Sequence, residues 1–144
     1  MSIQPILLHG KWCQANACGQ FQADNPKTKK PLDHVYPVSA WSDCEIALDA
    51  ATAAAAQLRE LPASRIAEFL RQYADGIETR GEELVEAAHA ETALPVTPRL
   101  ADGELPRTTG QLRQAADAAA VGTWALPTID TAAGIRSVLA PIGP

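Results

Sequence analysis

A long helical middle between two short strand-like ends constrains the fold of this chain most. The clearest apolar stripe has the i, i+3, i+4, i+7, i+11 spacing of one helix face and consists of Ile66, Phe69, Leu70, Tyr73 and Ile77. The patterns predict strands and turns over 1–41, helices over 42–122, and a loop and strand over 123–144. The expected fold class is therefore mostly α with flanking β-strands.

Too few strands are present at either end to complete a sheet. Exposed strand edges pair with other chains, and natural proteins avoid them. We therefore interpret residues 1–144 as a single incomplete unit of a larger fold, with a sheet that lies elsewhere.

Local signals set the expected boundaries of the first helices. Ser42 and Glu45 have the spacing of a capping box, in which Ser42 caps the first helix and Glu45 reaches back to it. Pro62 suits the start of a second helix, where its missing N–H costs little. Gly81 marks a break before a third helix.

The end of the helical region is also marked by proline and glycine. Pro95 blocks the third helix, and the last helix is expected from about Pro98 to Gly122, with a kink or a delayed start at Pro106. After a loop, the apolar residues of 135–144 predict the beginning of a further strand.

Charge and composition exclude several classes of function. The formal net charge is −5 and the pI is about 5.1, so no basic footprint for nucleic acid or for a membrane surface is expected. Apolar residues make up 47% of the chain, but aromatic residues only 5%. Since alanine supplies much of the apolar fraction, the core is expected to come from closely packed helices.

The cysteines and the N-terminal segment indicate the compartment. The first ten residues lack the basic region and apolar run of a signal peptide, and no membrane-spanning stretch is present. Three sparse cysteines, Cys13, Cys18 and Cys44, suit a reducing cytoplasm. Cys13 and Cys18 with His34 or His9 could form a zinc site, and the alternative is that the cysteines are small buried or half-buried thiols. The thiols are favoured because no second paired motif accompanies the cysteines.

Two stretches carry a family resemblance. Residues 24–39, DNPKTKKPLDHVYPVS, are similar to the Asn-Pro-x-Thr-x-x-x-Leu strand-turn near the start of aldehyde dehydrogenases. The matching residues are Asn25, Pro26, Thr28 and Leu32. The family's usual Gly-Glu after the threonine is replaced here by Lys29 and Lys30.

The second stretch points to a narrower branch of that superfamily. Residues 91–116, ETALPVTPRLADGELPRTTGQLRQAA, resemble the 2,5-dioxovalerate (α-ketoglutarate semialdehyde) dehydrogenases and related NADP-linked fatty aldehyde dehydrogenases. The matching residues are Glu91-Thr92, Leu94-Pro95, Arg99-Leu100, Gly103-Glu104, Arg107-Thr108 and Gln111-Leu112-Arg113. The closing RSVLAPIGP resembles the segment that enters the family's dinucleotide-binding sheet.

The resemblance implies that the chain is the N-terminal part of an α/β aldehyde dehydrogenase cofactor-binding domain. Such a parent oxidises an aldehyde to the carboxylate with NAD or NADP, and its nucleophilic cysteine and its glutamate lie beyond residue 144. The chain alone is then expected to be inert, without catalytic, cofactor-binding or metal residues. Its implied partners are the remainder of the parent enzyme, a small aldehyde and further copies in a homo-oligomer.

Two residues have a possible role in substrate binding. The resemblance places the helix of Arg107 and Gln111 beside the family's substrate tunnel, where an arginine fork would bind the far carboxylate of a semialdehyde acid. In the alternative interpretation, Arg107 and Arg113 are surface arginines paired with Glu104 or Asp117.

Two other classes of function are alternatives to an enzyme. One is a free-standing helical interaction module that binds a protein by strand addition. The other is a non-catalytic protein that binds a dicarboxylate or semialdehyde acid through the same helix.

Overall fold

The computed structural model of this protein describes residues 3–122 and 125–139. The strands of the described residues are β1 Ile6–Leu8, β2 Lys11–Cys13, β3 Ala17–Asn25, β4 Lys30–Ser39, β5 Thr128–Asp130 and β6 Ile135–Ser137. The helices are α1 Trp41–Glu60, α2 Ala63–Thr79, α3 Gly81–Thr92, the π-helical segment Val96–Glu104 and α4 Leu105–Val121. This architecture confirms a mostly helical fold with small flanking strands.

The strands form three separate antiparallel pairs, β1 with β2, β3 with β4 and β5 with β6. In the β3–β4 turn, the side-chain oxygen of Asn25 accepts hydrogen bonds from the backbone N–H groups of Lys27 (3.0 Å) and Thr28 (3.1 Å). An asparagine in this role mimics a backbone turn. The Asn-Pro motif therefore closes the hairpin although the family's glycine is absent.

The loop predicted for 123–134 is wrong in part, because β5 lies within it and pairs with β6. The Asp130 carboxylate closes this hairpin by accepting hydrogen bonds from the backbone N–H groups of Ala132 and Ala133, both at 3.0 Å. The expected strand over 135–144 is β6 at its start, and residues 140–144 lie outside the described residues.

The capping box predicted for the first helix is also wrong. Helix α1 begins at Trp41, and its N-cap residue Ala40 makes no side-chain capping hydrogen bond. The Glu45 carboxylate instead accepts a hydrogen bond from the Trp41 indole N–H (3.1 Å). The hydroxyl of Ser42 accepts one from the Asn16 side chain (3.1 Å). A contact within α1 and a contact to Asn16, which lies between β2 and β3, are therefore found in place of the predicted cap.

The later boundaries follow the proline and glycine signals. Helix α2 begins one residue after Pro62, and the break between α2 and α3 falls at Arg80, directly before Gly81. Helix α4 carries Pro106 in its first turn and ends before Gly122, whose φ of 68° is left-handed. A proline at the start and a glycine after the end are the usual arrangement.

The helical core is built from small side chains. Helix α2 packs on α4, and the buried residues of these two helices are Ala67, Ala74, Thr109 and Ala116. Helix α3 and the π-helical segment add Val85 and Leu100. The closely packed helical core expected from the alanine content is therefore confirmed.

Large apolar side chains remain exposed on every part of this fold. Trp12 on β2 is 71% exposed, Trp41 on α1 68%, and Ile129 on β5 69%. Helix α2 exposes a stacked aromatic pair, Phe69 and Tyr73, whose ring centroids lie 6.1 Å apart, within the range that such pairs prefer. Contiguous exposed apolar groups mark interaction surfaces, and the aromatic pair on α2 is a candidate for one.

Candidate functional site

Arg107 and Gln111 lie on one face of helix α4. They are separated by four residues and therefore point to the same side of the helix. The buried face of α4 contains Thr109 and Ala116. Because Arg107 precedes Thr109 by two residues, it is turned about 200° away from that face. Both Arg107 and Gln111 are exposed, so the structure brings them together on the side of α4 that α2 leaves free.

The alternative pairing of Arg107 with a neighbouring carboxylate is wrong. Glu104 forms its ion pair with Arg99 at 2.7 Å, and Asp117 forms its pair with Arg71 at 2.7 Å. Within the ranges that the structure describes, Arg107 has no ion pair. The side chain of Arg107 is exposed.

Arg113 has a different environment from Arg107. Its guanidinium donates to both oxygens of Glu78, at 2.6 and 2.8 Å, and to Asp75 at 2.7 Å. The hydrogen bonds from Arg113 lower the pKa of Glu78 from 4.5 to about 2. The same contacts, with Glu78 first, raise the pKa of Arg113. These partners are not predictable from local spacing, because they lie on α2, 35 and 38 residues away along the chain.

An apolar groove runs between α2, α3, the π-helical segment and α4. Its walls are formed by Tyr73, Ile77, Leu84, Val85, Leu100 and Leu105. Glu104 and Thr108 are the polar groups of this lining. The groove can hold an apolar group, and its lining contains no cysteine that could act as a thiolate nucleophile.

The three cysteines are distributed over two hairpins and α1. All are free thiols, and Cys18 donates a weak hydrogen bond from its sulfur to the Val38 carbonyl (3.4 Å). His34 interacts through Nδ1 with the side chain of Gln4 (3.2 Å). Among the residues with described positions, no cluster of three histidine, cysteine or carboxylate side chains could hold a metal ion. The zinc interpretation therefore has no structural support.

A dinucleotide site needs backbone N–H groups of a glycine-rich turn at a helix N-terminus. The helix N-caps are Ala40, Pro62, Arg80 and Glu104, and the π-helical segment is capped by Pro95. No glycine-rich turn precedes these ends in the part of the chain that is described, so these residues do not by themselves fit a pyrophosphate. None of the described helices is both long and apolar enough to cross a membrane.

Comparison with known proteins identifies the family. The aldehyde dehydrogenase family model matches residues 12–144. The chain is 38% identical over 140 residues to alpha-ketoglutaric semialdehyde dehydrogenase 2 of Azospirillum brasilense, covering 96% of this chain and 26% of that protein. It is 32% identical over 133 residues to alpha-ketoglutaric semialdehyde dehydrogenase of Acinetobacter baylyi, covering 92% of this chain and 25% of that protein.

Solved structures have the same fold. A mutant of aldehyde dehydrogenase C from Pseudomonas syringae, solved with NAD+ and octanal, superposes with a TM-score of 0.79 at 21% identity. The match covers 88% of this chain and 25% of that one. The chain thus spans about a quarter of the length of the relatives that it matches. With its motifs, its helical core and its family match in agreement, this chain belongs to the aldehyde dehydrogenase family.

Proposed function

We propose that the protein carrying this chain is an NAD(P)-dependent aldehyde dehydrogenase that oxidises 2,5-dioxovalerate (α-ketoglutarate semialdehyde) to the dicarboxylate. The observation that carries this proposal is the 38% identity, over nearly the whole chain, to a relative with that name. The second relative, at 32% identity, is also an alpha-ketoglutaric semialdehyde dehydrogenase.

The geometry of α4 supports an anionic substrate. A semialdehyde acid has a carboxylate at the end remote from its aldehyde, and an arginine fork can bind a carboxylate through two parallel hydrogen bonds. Arg107 is exposed on the free face of α4, and Gln111 lies one turn further along the same face. We assign Arg107 to the substrate carboxylate and Gln111 to an additional hydrogen bond.

The reacting groups belong to the three-quarters of such an enzyme that this chain does not span. The bound NAD(P) accepts hydride in this family's chemistry. Residues 3–122 and 125–139 contribute the packed helices that hold Arg107 and Gln111 in place. We also propose that the enzyme is cytoplasmic and assembles as a homo-oligomer.

The alternatives gain no support from the comparisons. Neither a free-standing interaction module nor a non-catalytic binding protein would explain why the chain is similar to much longer dehydrogenases. We therefore infer that the rest of the enzyme packs against the exposed apolar surfaces of these residues.

The test combines the mass of the native protein with substrate kinetics. The intact protein from its source should have several times the mass of 15.3 kDa, and it should reduce NAD(P) with 2,5-dioxovalerate. Arg107→Met should raise KM for 2,5-dioxovalerate but not for pentanal, an uncharged aldehyde of the same chain length. Arg99→Met, which removes an exposed arginine paired with Glu104, is the matched control and should leave both KM values unchanged.

Two outcomes would contradict the proposal at different levels. A native mass of 15.3 kDa without dehydrogenase activity would exclude the enzyme. An active enzyme whose preference for the charged aldehyde is unaffected by Arg107→Met would exclude the role of Arg107 alone.

A further inference from the structure

The most deeply buried residues of helices α2 and α4 are Ala67, Ala74, Thr109 and Ala116, which are all small. Packing of side-chain ridges into grooves sets how two helices lie against each other, and small residues form shallow ridges. Polar contacts outside this small-residue core can therefore add to the register of α4 on α2.

Arg113 makes such a contact. Its guanidinium joins both oxygens of Glu78 and one oxygen of Asp75, at 2.6, 2.8 and 2.7 Å. Asp75 and Glu78 are three residues apart and thus lie on adjacent turns of α2. Because the guanidinium is a rigid planar fork, three short hydrogen bonds to two turns restrict both the sliding and the rotation of α4.

The other ion pair between these helices is less restrictive. Arg71 on α2 contacts only one oxygen of Asp117 on α4, at 2.7 Å. Exposure does not distinguish the two contacts, because Arg71 and Asp117 are 49% and 71% exposed and Arg113, Glu78 and Asp75 are 40%, 46% and 67% exposed, so the difference lies in the number of hydrogen bonds. A single exposed contact of this kind contributes little, so the Arg113 cluster is the stronger candidate for the register contact.

We propose that Arg113 is a positioning residue that holds α4 in the register that presents Arg107 and Gln111 to the substrate. This inference rests on the proposed function. Arg113 follows Arg107 by six residues, a distance of about 9 Å along the helix, and it lies on the face towards α2. A shift at Arg113 is therefore transmitted along the same rigid helix to Arg107.

The test uses the full-length protein and two readouts. Arg113→Met removes the fork, and Glu78→Gln keeps the side-chain volume but removes the charge, so the second variant serves if the first does not fold. Both should raise KM for 2,5-dioxovalerate by roughly tenfold, because a misplacement of about 1 Å can cost this much or more. Neither should change kcat or KM for pentanal. Arg113→Lys should give an intermediate KM, since lysine keeps the charge without the fork.

The second readout is the crystal structure of each variant, superposed on α2. Helix α4 should shift at Arg107 in Arg113→Met and Glu78→Gln, but not in the control Arg71→Met, whose KM should also be unchanged. If α4 keeps its place and KM for 2,5-dioxovalerate is unaltered in both variants, the positioning role is overturned. If α4 shifts but Arg107→Met itself has no effect on KM, the proposed substrate role of Arg107 fails, and only the register contact between α4 and α2 stands.

Discussion

Arg113 on α4 holds the Glu78 carboxylate of α2 by two hydrogen bonds, of 2.6 and 2.8 Å. This bidentate contact joins two helices whose buried residues are mostly alanine. It also gives Glu78 an unusually low pKa, because the hydrogen bonds favour the charged carboxylate. The geometry of one pair thus bears on both the placement of α4 and the response of the fold to acid.

The low pKa of Glu78 predicts a specific acid sensitivity. Its folded-state pKa of about 2 lies below the ordinary 4.5, so its contribution to stability is complete above about pH 4.5 and is lost as the pH falls towards 2. Thermal unfolding followed by circular dichroism should show a steeper loss of Tm over this window in the unmodified chain than in Glu78→Gln. Glu91→Gln, at an exposed position on α3, should retain the steep loss. Equal slopes for the unmodified chain and Glu78→Gln would contradict the prediction.

Two glycines in different backbone conformations should respond in opposite directions to alanine. Gly76 lies inside α2 and has open space where a Cβ would be added. Gly76→Ala should therefore stabilise the chain by about 1 kcal/mol through helix propensity. Gly122 has a left-handed φ of 68°, and Gly122→Ala should destabilise by about 1 kcal/mol because a Cβ is strained there. Chemical denaturation of both variants gives the comparison, and a change of the same sign in both would refute it.

The close approach of α2 and α4 predicts a strong effect of side-chain size. Ala74 is 0% exposed, so Ala74→Leu should destabilise the chain by about 1–3 kcal/mol through overpacking. Ala118 is exposed on α4, and Ala118→Leu should change the free energy of unfolding by no more than about 0.5 kcal/mol. Denaturant unfolding measures both. Tolerance of leucine at position 74 would mean that the two helices do not pack as closely as described.

The start of α1 provides a test of a tertiary contact against a local cap. The buried Asp43 carboxylate accepts a hydrogen bond from the Asn16 backbone N–H at 2.8 Å. Asp43→Ala should cost about 1–3 kcal/mol, because it leaves this N–H without its partner. Ser42→Ala should cost less than about 0.5 kcal/mol, since Ser42 is exposed and does not cap the helix. If Ser42→Ala instead lowers the free energy of unfolding more than Asp43→Ala does, the predicted capping box would be supported.

Local sequence signals were sufficient to predict the main helices and the family of the chain. The apolar stripe along α2, the break before Gly81 and the end of α4 before Gly122 were all predicted, because helical periodicity and glycine conformation act over a few residues. The Asn-Pro hairpin and the RTTGQLR stretch carried the resemblance that the family match confirms. The exposed face of Arg107 and Gln111 also follows from their spacing once one buried residue of α4 is known.

Tertiary structure decided the features that depend on distant partners. The hairpin contacts of Asn16 replaced the predicted cap of α1, and pairing with β6 made a strand within the predicted loop. Arg113 was expected to pair nearby, yet its partners lie on α2, 35 and 38 residues away. Periodicity predicts that α2 is a helix, but it does not tell which side chains another helix covers, since Phe69 and Tyr73 of the apolar stripe are exposed whereas Ala74 is buried. The partner of a charged side chain is therefore determined only when the helices pack.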